Sequence, residues 1–174
     1  MSAAQSEWAE AHGFLTLRMN VSQCLDPAQA EAEIERLAQL AALAVAQGVS
    51  PVIYSAKGPD DPAVQGFEAL VQRLGLDKTQ ASERIGMALA EVMRRLLNRT
   101  PLRRIVVAGG DSSGAVATLL GIRAFTVAAG LAPGVPLCRA WSDDARRDGL
   151  EIALKGGQLG LPSFYGDVRA GRVA

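Results

Sequence analysis

Residues 104–121, RIVVAGGDSSGAVATLLG, constrain the fold more than any other stretch of the chain. Ile105, Val106 and Val107 form a short apolar run of the kind that becomes a buried strand. Gly109 and Gly110 break it, and Asp111, Ser112 and Ser113 open a helix. Glycine turns tightly and lets a ligand approach the backbone without a Cβ in the way. The first turn of a helix carries unpaired N–H groups and the positive end of the macrodipole, which suits a phosphate. A second glycine-rich segment, ALKGGQLG, follows at 153–160. Two readings of the first segment stand side by side. It is a phosphate cradle, or it is an ordinary strand-to-helix turn with Asp111 or Ser112 as the N-cap. Neither the P-loop spacing nor G-x-G-x-x-G is present.

Around this unit, strands and helices alternate. A helix is expected over 2–11 and a strand over 14–19. Asp26-Pro27 is expected to open a long helix through 45, with Ile34, Leu37, Leu40, Ala41 and Val45 on one face and Gly48 beyond its end. A strand over 51–55, a turn-rich loop over 58–62 and a short helix over 63–74 come next. The clearest helix runs over 79–97, where Ile85, Leu89, Val92 and Leu96 recur at helical spacing and Arg94, Arg95 and Arg99 suit the negative C-terminal end. After the strand at Ile105, a helix over 113–120 and strands over 124–128 and 151–154 complete the pattern. The fold class read from it is α/β: a mainly parallel sheet flanked by helices, one domain over 1–174. Open sheets of this kind bind ligands at the carboxyl ends of their strands, where the Gly109 turn falls and which Ser55 also borders. The charged run 143–148 reads as a solvated loop.

Composition removes several functions. Eighteen basic residues balance eighteen acidic ones, so the surface lacks the positive excess that nucleic acid or an anionic membrane selects. No apolar run reaches the roughly 18 residues of a membrane span, and no secretory leader pattern is present. Cys24 and Cys138 have no framework or metal spacing and read as free thiols in a reducing cytoplasm. The single histidine, His12, leaves no multi-histidine metal site and reads as a surface residue at a helix end.

Four segments in order carry a family resemblance. Gly109-Gly110-Asp111-Ser112-Ser113-Gly114-Ala115 resembles the G-G-D/E-S/T-S/A-G-A signature of the four-carbon acid sugar kinases. Leu131-Ala132-Pro133-Gly134-Val135-Pro136 is similar to that family's I-x-P-G-V-P loop, and Leu154-Lys155-Gly156-Gly157-Gln158-Leu159-Gly160 to its L-K-S/P-G-N/G-F-G motif. The stretch SAAQSEWAEAHGF resembles its T-x-x-Q-x-x-W-A-x-x-x-G-F segment. The family usually has Thr where Ser112 stands and Phe where Leu159 stands; the first change keeps a hydroxyl, and the second removes an aromatic from the loop.

The resemblance covers the C-terminal half of the family's protein and implies a nucleotide-binding domain. It implies that Gly109, Gly110, Asp111, Ser112, Ser113 and Gly114 meet ATP, and that Gly156, Gly157 and Gly160 let a second loop close over it. Lys155 would neutralise phosphate, the alternative being a solvent-facing strand end. Asp111 would hold Mg²⁺ or cap the helix. The reaction implied is transfer of the γ-phosphoryl group of ATP to the 4-hydroxyl of a four-carbon sugar acid such as 3-oxo-tetronate. In the family an acid-sugar-binding domain and a G-S-C/A-S nucleotide contact precede this region. Met1 falls just after that position, so the chain is expected to be incomplete as an enzyme and to expose a surface prone to self-association. The alternative is a non-catalytic nucleotide- or phosphate-binding module derived from such a kinase.

Overall fold

The computed structural model describes residues 3–172. Helix α1 (Ala3–Ala11) leads into strand β1 (Leu15–Arg18), which pairs in parallel with β2 (Pro51–Tyr54). Between them lie the short α2 (Val21–Leu25) and the long α3 (Ala30–Ala46). After β2 come α4 (Pro62–Gln65), α5 (Phe67–Arg73) and α6 (Lys78–Arg99). The second half runs β3 (Arg104–Ala108), α7 (Gly110–Leu119), β4 (Ile122–Ala132), β5 (Val135–Ser142), β6 (Glu151–Lys155) and α8 (Phe164–Ala170).

The α/β class holds, but the sheets are mixed rather than mainly parallel. The second sheet has the order β3-β6-β5-β4; β3 and β6 are parallel, whereas β5 runs antiparallel to both neighbours. The reason is the segment expected as a loop after a short strand at 124–128. Pro133-Gly134 is a tight turn, with Gly134 at φ 74°, and it folds an eleven-residue β4 back onto β5 as a hairpin. Pro136 disguised β5, since proline lacks a ladder donor and argues against a strand; here it sits next to the turn, opposite Gly130.

Helix α6 is the element both sheets share. Its Ala88, Val92 and Leu96 pack with Leu17 of β1, Met19 just after it, and Ile34 and Leu37 of α3. Its Ala90 and Leu97 pack with Ile105, Val116, Ala140 and Ile152 on the other side. Asp77 begins it with a capping box to Gln80, which satisfies two otherwise unpaired amides. Its arginines answer α3 rather than the helix dipole alone: Arg95 bonds Glu31, Glu35 and Glu91, and Arg99 bonds Glu35.

Other boundaries shift for local reasons. Asp26 ends α2 instead of opening α3, because its carboxylate accepts from the Ala28 N–H and the Gln29 side chain. The helix expected over 63–74 is interrupted at Gly66, which closes α4 and begins α5. In the charged run, Arg147 turns inward to 3% exposure, donating to the Arg94 carbonyl and Asn98. The helix α8, unanticipated because it is short and carries Gly166 inside it with Gly171 at its end, buries Phe164, Tyr165 and Val168 against Ala9 and Val52.

Gly166 is what lets α8 touch α1: a Cβ there would lie 2.2 Å from Trp8 Cη2. Alanine in place of glycine ordinarily gains about 1 kcal/mol within a helix, but here overpacking against the Trp8 ring costs about 3 kcal/mol, the upper end of the usual range, and outweighs it. Gly166→Ala is therefore expected to lower the unfolding free energy in urea titration, against the usual sign for this exchange.

Candidate functional site

The site begins where β3 ends. The parallel register sets Ala108 beside Lys155, and the Gly109 N–H donates to the Lys155 carbonyl at 2.9 Å. The two glycine-rich segments, 46 residues apart at these positions, are thus neighbours at the carboxyl edge of one strand pair. Gly109 takes φ 119° and ψ 136°, a conformation open only to glycine, and is itself the N-cap of α7.

Among the described side chains none caps that helix. Asp111 and Ser112 lie inside its first turn, so the N-cap assignment for either is corrected. The first intrahelical bond is Ser113 N–H to the Gly109 carbonyl at 3.0 Å. The amides of Gly110, Asp111 and Ser112 precede it and stay available to an acceptor. The Ser113 hydroxyl is spent on the same carbonyl, at 2.7 Å. A Cβ on Gly110 or Gly114 would meet nothing within 4 Å, so open space borders the helix start. The Asp111 carboxylate, expected as a magnesium ligand or cap, lies outside what the structure describes.

Lys155 is 3% exposed, so the solvent-facing reading of it falls. Its Nζ donates to Gly157 O at 3.0 Å and to Gln5 Oε1 at 3.1 Å, and lies 5.4 Å from the Phe164 ring centre. It pairs with no carboxylate among the described residues. Burial pushes its ammonium below the ordinary lysine range.

The loop after β6 is held from three directions. Leu159 lies against Gly134 and Gly156, with Cδ1 at van der Waals distance, 3.6 Å and 3.4 Å, from the Cβ position of each. The 131–136 turn therefore packs on the 154–160 segment. Gly160, at φ 90°, sits so close to Phe164 that a Cβ would approach Cδ2 to 2.8 Å. From α1, the Gln5 amide reaches the carbonyls of Leu159, Gly160 and Leu161. Gln5 is the residue that sequence reasoning passed over, although it is the glutamine of the quoted T-x-x-Q segment.

A cleft of about 530 Å³ opens beside the loop, lined by Ala3, Tyr54, Lys57, Asp61 and Gln158. Its cations are already paired: Arg18 with Asp61, and Lys57 with Glu10 at 2.6 Å. Ser55 is not part of its lining, whereas its chain neighbour Tyr54 is. His12 stacks on Trp8 at 3.7 Å, its Nδ1 2.7 Å from the Trp8 carbonyl oxygen. Among the described residues no group of three or more His, Cys, Asp or Glu is placed to hold a metal, and no helix is long and apolar enough to cross a membrane.

This architecture, with the glycine turn before an uncapped helix, defines a nucleotide-binding C-terminal domain, the family that residues 1–165 match. Over its whole length the chain is 55% identical to a 3-oxo-isoapionate kinase of Paraburkholderia graminis, covering 37% of that protein. It is 39% identical to a 3-oxo-tetronate kinase of Cupriavidus necator over 71% of this chain and 26% of that one. A crystal structure from Salmonella typhimurium LT2, described as a tRNA synthase, superposes with a TM-score of 0.75 at 30% identity, over 97% of this chain and 37% of that one. The chain belongs to the four-carbon acid sugar kinase family, as its nucleotide-binding domain. It spans about a third of the length of these relatives.

The Asp61 carboxylate beside the site has a definite pH signature. Burial pushes it up, but the Arg18 guanidinium and the Lys57 and Ala63 N–H groups outweigh that and hold it at about 2. An unfolded aspartate titrates near ~3.9. The stabilisation is therefore complete above about pH 4 and lost as pH falls towards 2. Because Arg18 is 44% exposed, the expected loss is about 1–2 kcal/mol rather than the full shift. Urea titrations of wild type and Asp61→Asn between pH 5 and pH 2.5 should converge at the acid end.

Proposed function

We propose that this chain is the ATP-binding part of a kinase acting on a small sugar acid, folded as one α/β domain. The observation that carries the reading is the start of α7: three first-turn amides without a side-chain cap, facing open space at Gly110. An anion with several oxygens is the ligand such a terminus stabilises most. In this reading Gly109, Gly110, Asp111 and Ser112 receive the phosphates through backbone N–H groups, with the Ser112 hydroxyl beside them. Ser113 fixes the turn, and Gly114 keeps the next turn of α7 open. Gly156, Gly157 and Gly160 form the second wall, and the buried Lys155 charge lies behind it.

Phosphoryl transfer asks a protein mainly to position and neutralise phosphates, which is the chemistry this half supplies. Mg²⁺ fits as a companion of the nucleotide, taking oxygen ligands from phosphate and water. The γ-phosphoryl group of ATP would pass to a hydroxyl of the acid, the 4-hydroxyl in the tetronate case, leaving ADP. Both kinase relatives are named for a 3-oxo acid, which supports that substrate class here. The acid itself would be held by a further domain, without which turnover is not expected. A cytoplasmic setting is supported by two unpaired, buried cysteines. Self-association is supported by Val127 and Trp141, 67% and 52% exposed on the β4–β5 edge. A non-catalytic module that takes phosphate alone is the second reading, supported by the same helix start.

Thermal unfolding with and without Mg·ATP separates the two. Ligand at about 100 times its dissociation constant adds about 2.7 kcal/mol, on the order of 5–10 °C for a chain of this size. The expected result is such a shift with Mg·ATP and a smaller one with inorganic phosphate. Gly110→Val should abolish it without disturbing the fold, since Gly110 needs no positive φ and its Cβ direction is empty. Equal shifts with phosphate and Mg·ATP would favour the phosphate module.

A further inference from the structure

The 156–161 loop should be floppy on composition alone. Three of its six residues are glycine, which lose the most conformational freedom on ordering, and Gly156, Gln158, Leu159, Gly160 and Leu161 are all exposed. Among the described residues two backbone bonds lie within the segment and its exit, Leu159 N–H to Gly156 O and Phe164 N–H to Leu161 O. What anchors it comes from the opposite end of the chain. Gln5 is fully buried. Its Nε2 lies 2.9 Å from Leu159 O, 3.1 Å from Gly160 O and 3.1 Å from Leu161 O, so two amide protons serve three consecutive carbonyls. Its Oε1 accepts from the Lys155 ammonium at 3.1 Å, and the same ammonium donates to Gly157 O.

One side chain therefore spans the loop, bonding its exit directly and its entrance through Lys155. The chemistry demands a primary amide. The carbonyl side takes two donor protons and the ammonium side an acceptor, at opposite edges of one planar group, and only Gln or Asn offers that set. Glutamate would face three carbonyl oxygens with a negative charge, and lysine would face an ammonium with another.

We propose that Gln5 is the positioning residue of the nucleotide loop: it sets the conformation in which 156–161 closes over the ligand, and so sets nucleotide affinity from a helix remote in sequence. This rests on the nucleotide reading of the site. The clamp itself belongs to the unliganded protein and is tested there.

Hydrogen exchange on the unliganded chain reads the clamp, and calorimetric titration with Mg·ATP reads its consequence. Gln5→Met removes donor and acceptor at nearly constant volume. Gln5→Asn keeps the amide but withdraws it by one methylene, and is the milder variant should the first fail to fold. The expected result is at least tenfold faster exchange of the two bonded amides of the loop and its exit, Leu159 and Phe164, relative to those of β3 and β6 in the same molecule. About tenfold weaker Mg·ATP binding should accompany it. A merely structural role would speed exchange in strands and loop alike, and that outcome, or an unchanged loop, overturns the proposal. Failure of the wild-type chain to bind Mg·ATP would overturn the affinity half together with the nucleotide reading, while loop exchange still decides the clamp.

Discussion

The parallel pairing of β3 with β6 is the contact on which the site depends. It extends one residue beyond the ladder, through the Gly109 N–H and the Lys155 carbonyl. That single bond fixes the helix start and the glycine loop relative to each other. Everything else at the site adjusts to it. Gly109 adopts a glycine-only conformation so that α7 can leave directly from the strand end. Lys155, as the last residue of β6, has to bury its charge where the strand stops.

That burial shows how electrostatics are divided across the molecule. Between α3 and α6 the charges are partly exposed and redundantly paired, and Glu91 is held at about 2 by Arg94, against burial, and by Arg95. Such pairs contribute modestly one at a time. At the site the ammonium of Lys155 is satisfied by neutral oxygens instead. A buried cation with dipoles but no counter-ion among the described residues projects a field, and the helix start one strand away adds to it with the same sign. Both favour an anion at this edge of the sheet.

Much of this was legible in the residues, and the misses share a cause. Strands β1, β2, β3 and β6 and helices α1, α3 and α6 announce themselves through local periodicity and turn residues. The hairpin does not: Pro136 and the small residues of β4 carry weak strand preference, and the strands exist because β5 pairs with β6. Helix α8 is similar, since Gly166 lowers local propensity in exchange for contact with Trp8. At the site the glycines stand out as glycines, but their adjacency comes from the parallel pairing of β3 with β6, which no local signal announces. Gln5 stood out only as part of a motif. Nothing in its neighbourhood says that its partners lie more than 150 residues away.

That separation has a consequence for how the molecule is made. The α3–α6 packing and the β3–α7 unit draw on segments closer in sequence, whereas the loop cannot seat until α1 meets residues emerging about 150 positions later. At ordinary rates of synthesis that is roughly 10–30 s after α1 leaves the ribosome. Long-range contacts of this kind also form late in refolding, because chain closure must precede any gain from them. The glycine-rich edge of the site thus depends on both ends of the chain being in place. A nascent chain with its core already packed would still have nowhere to close over a ligand.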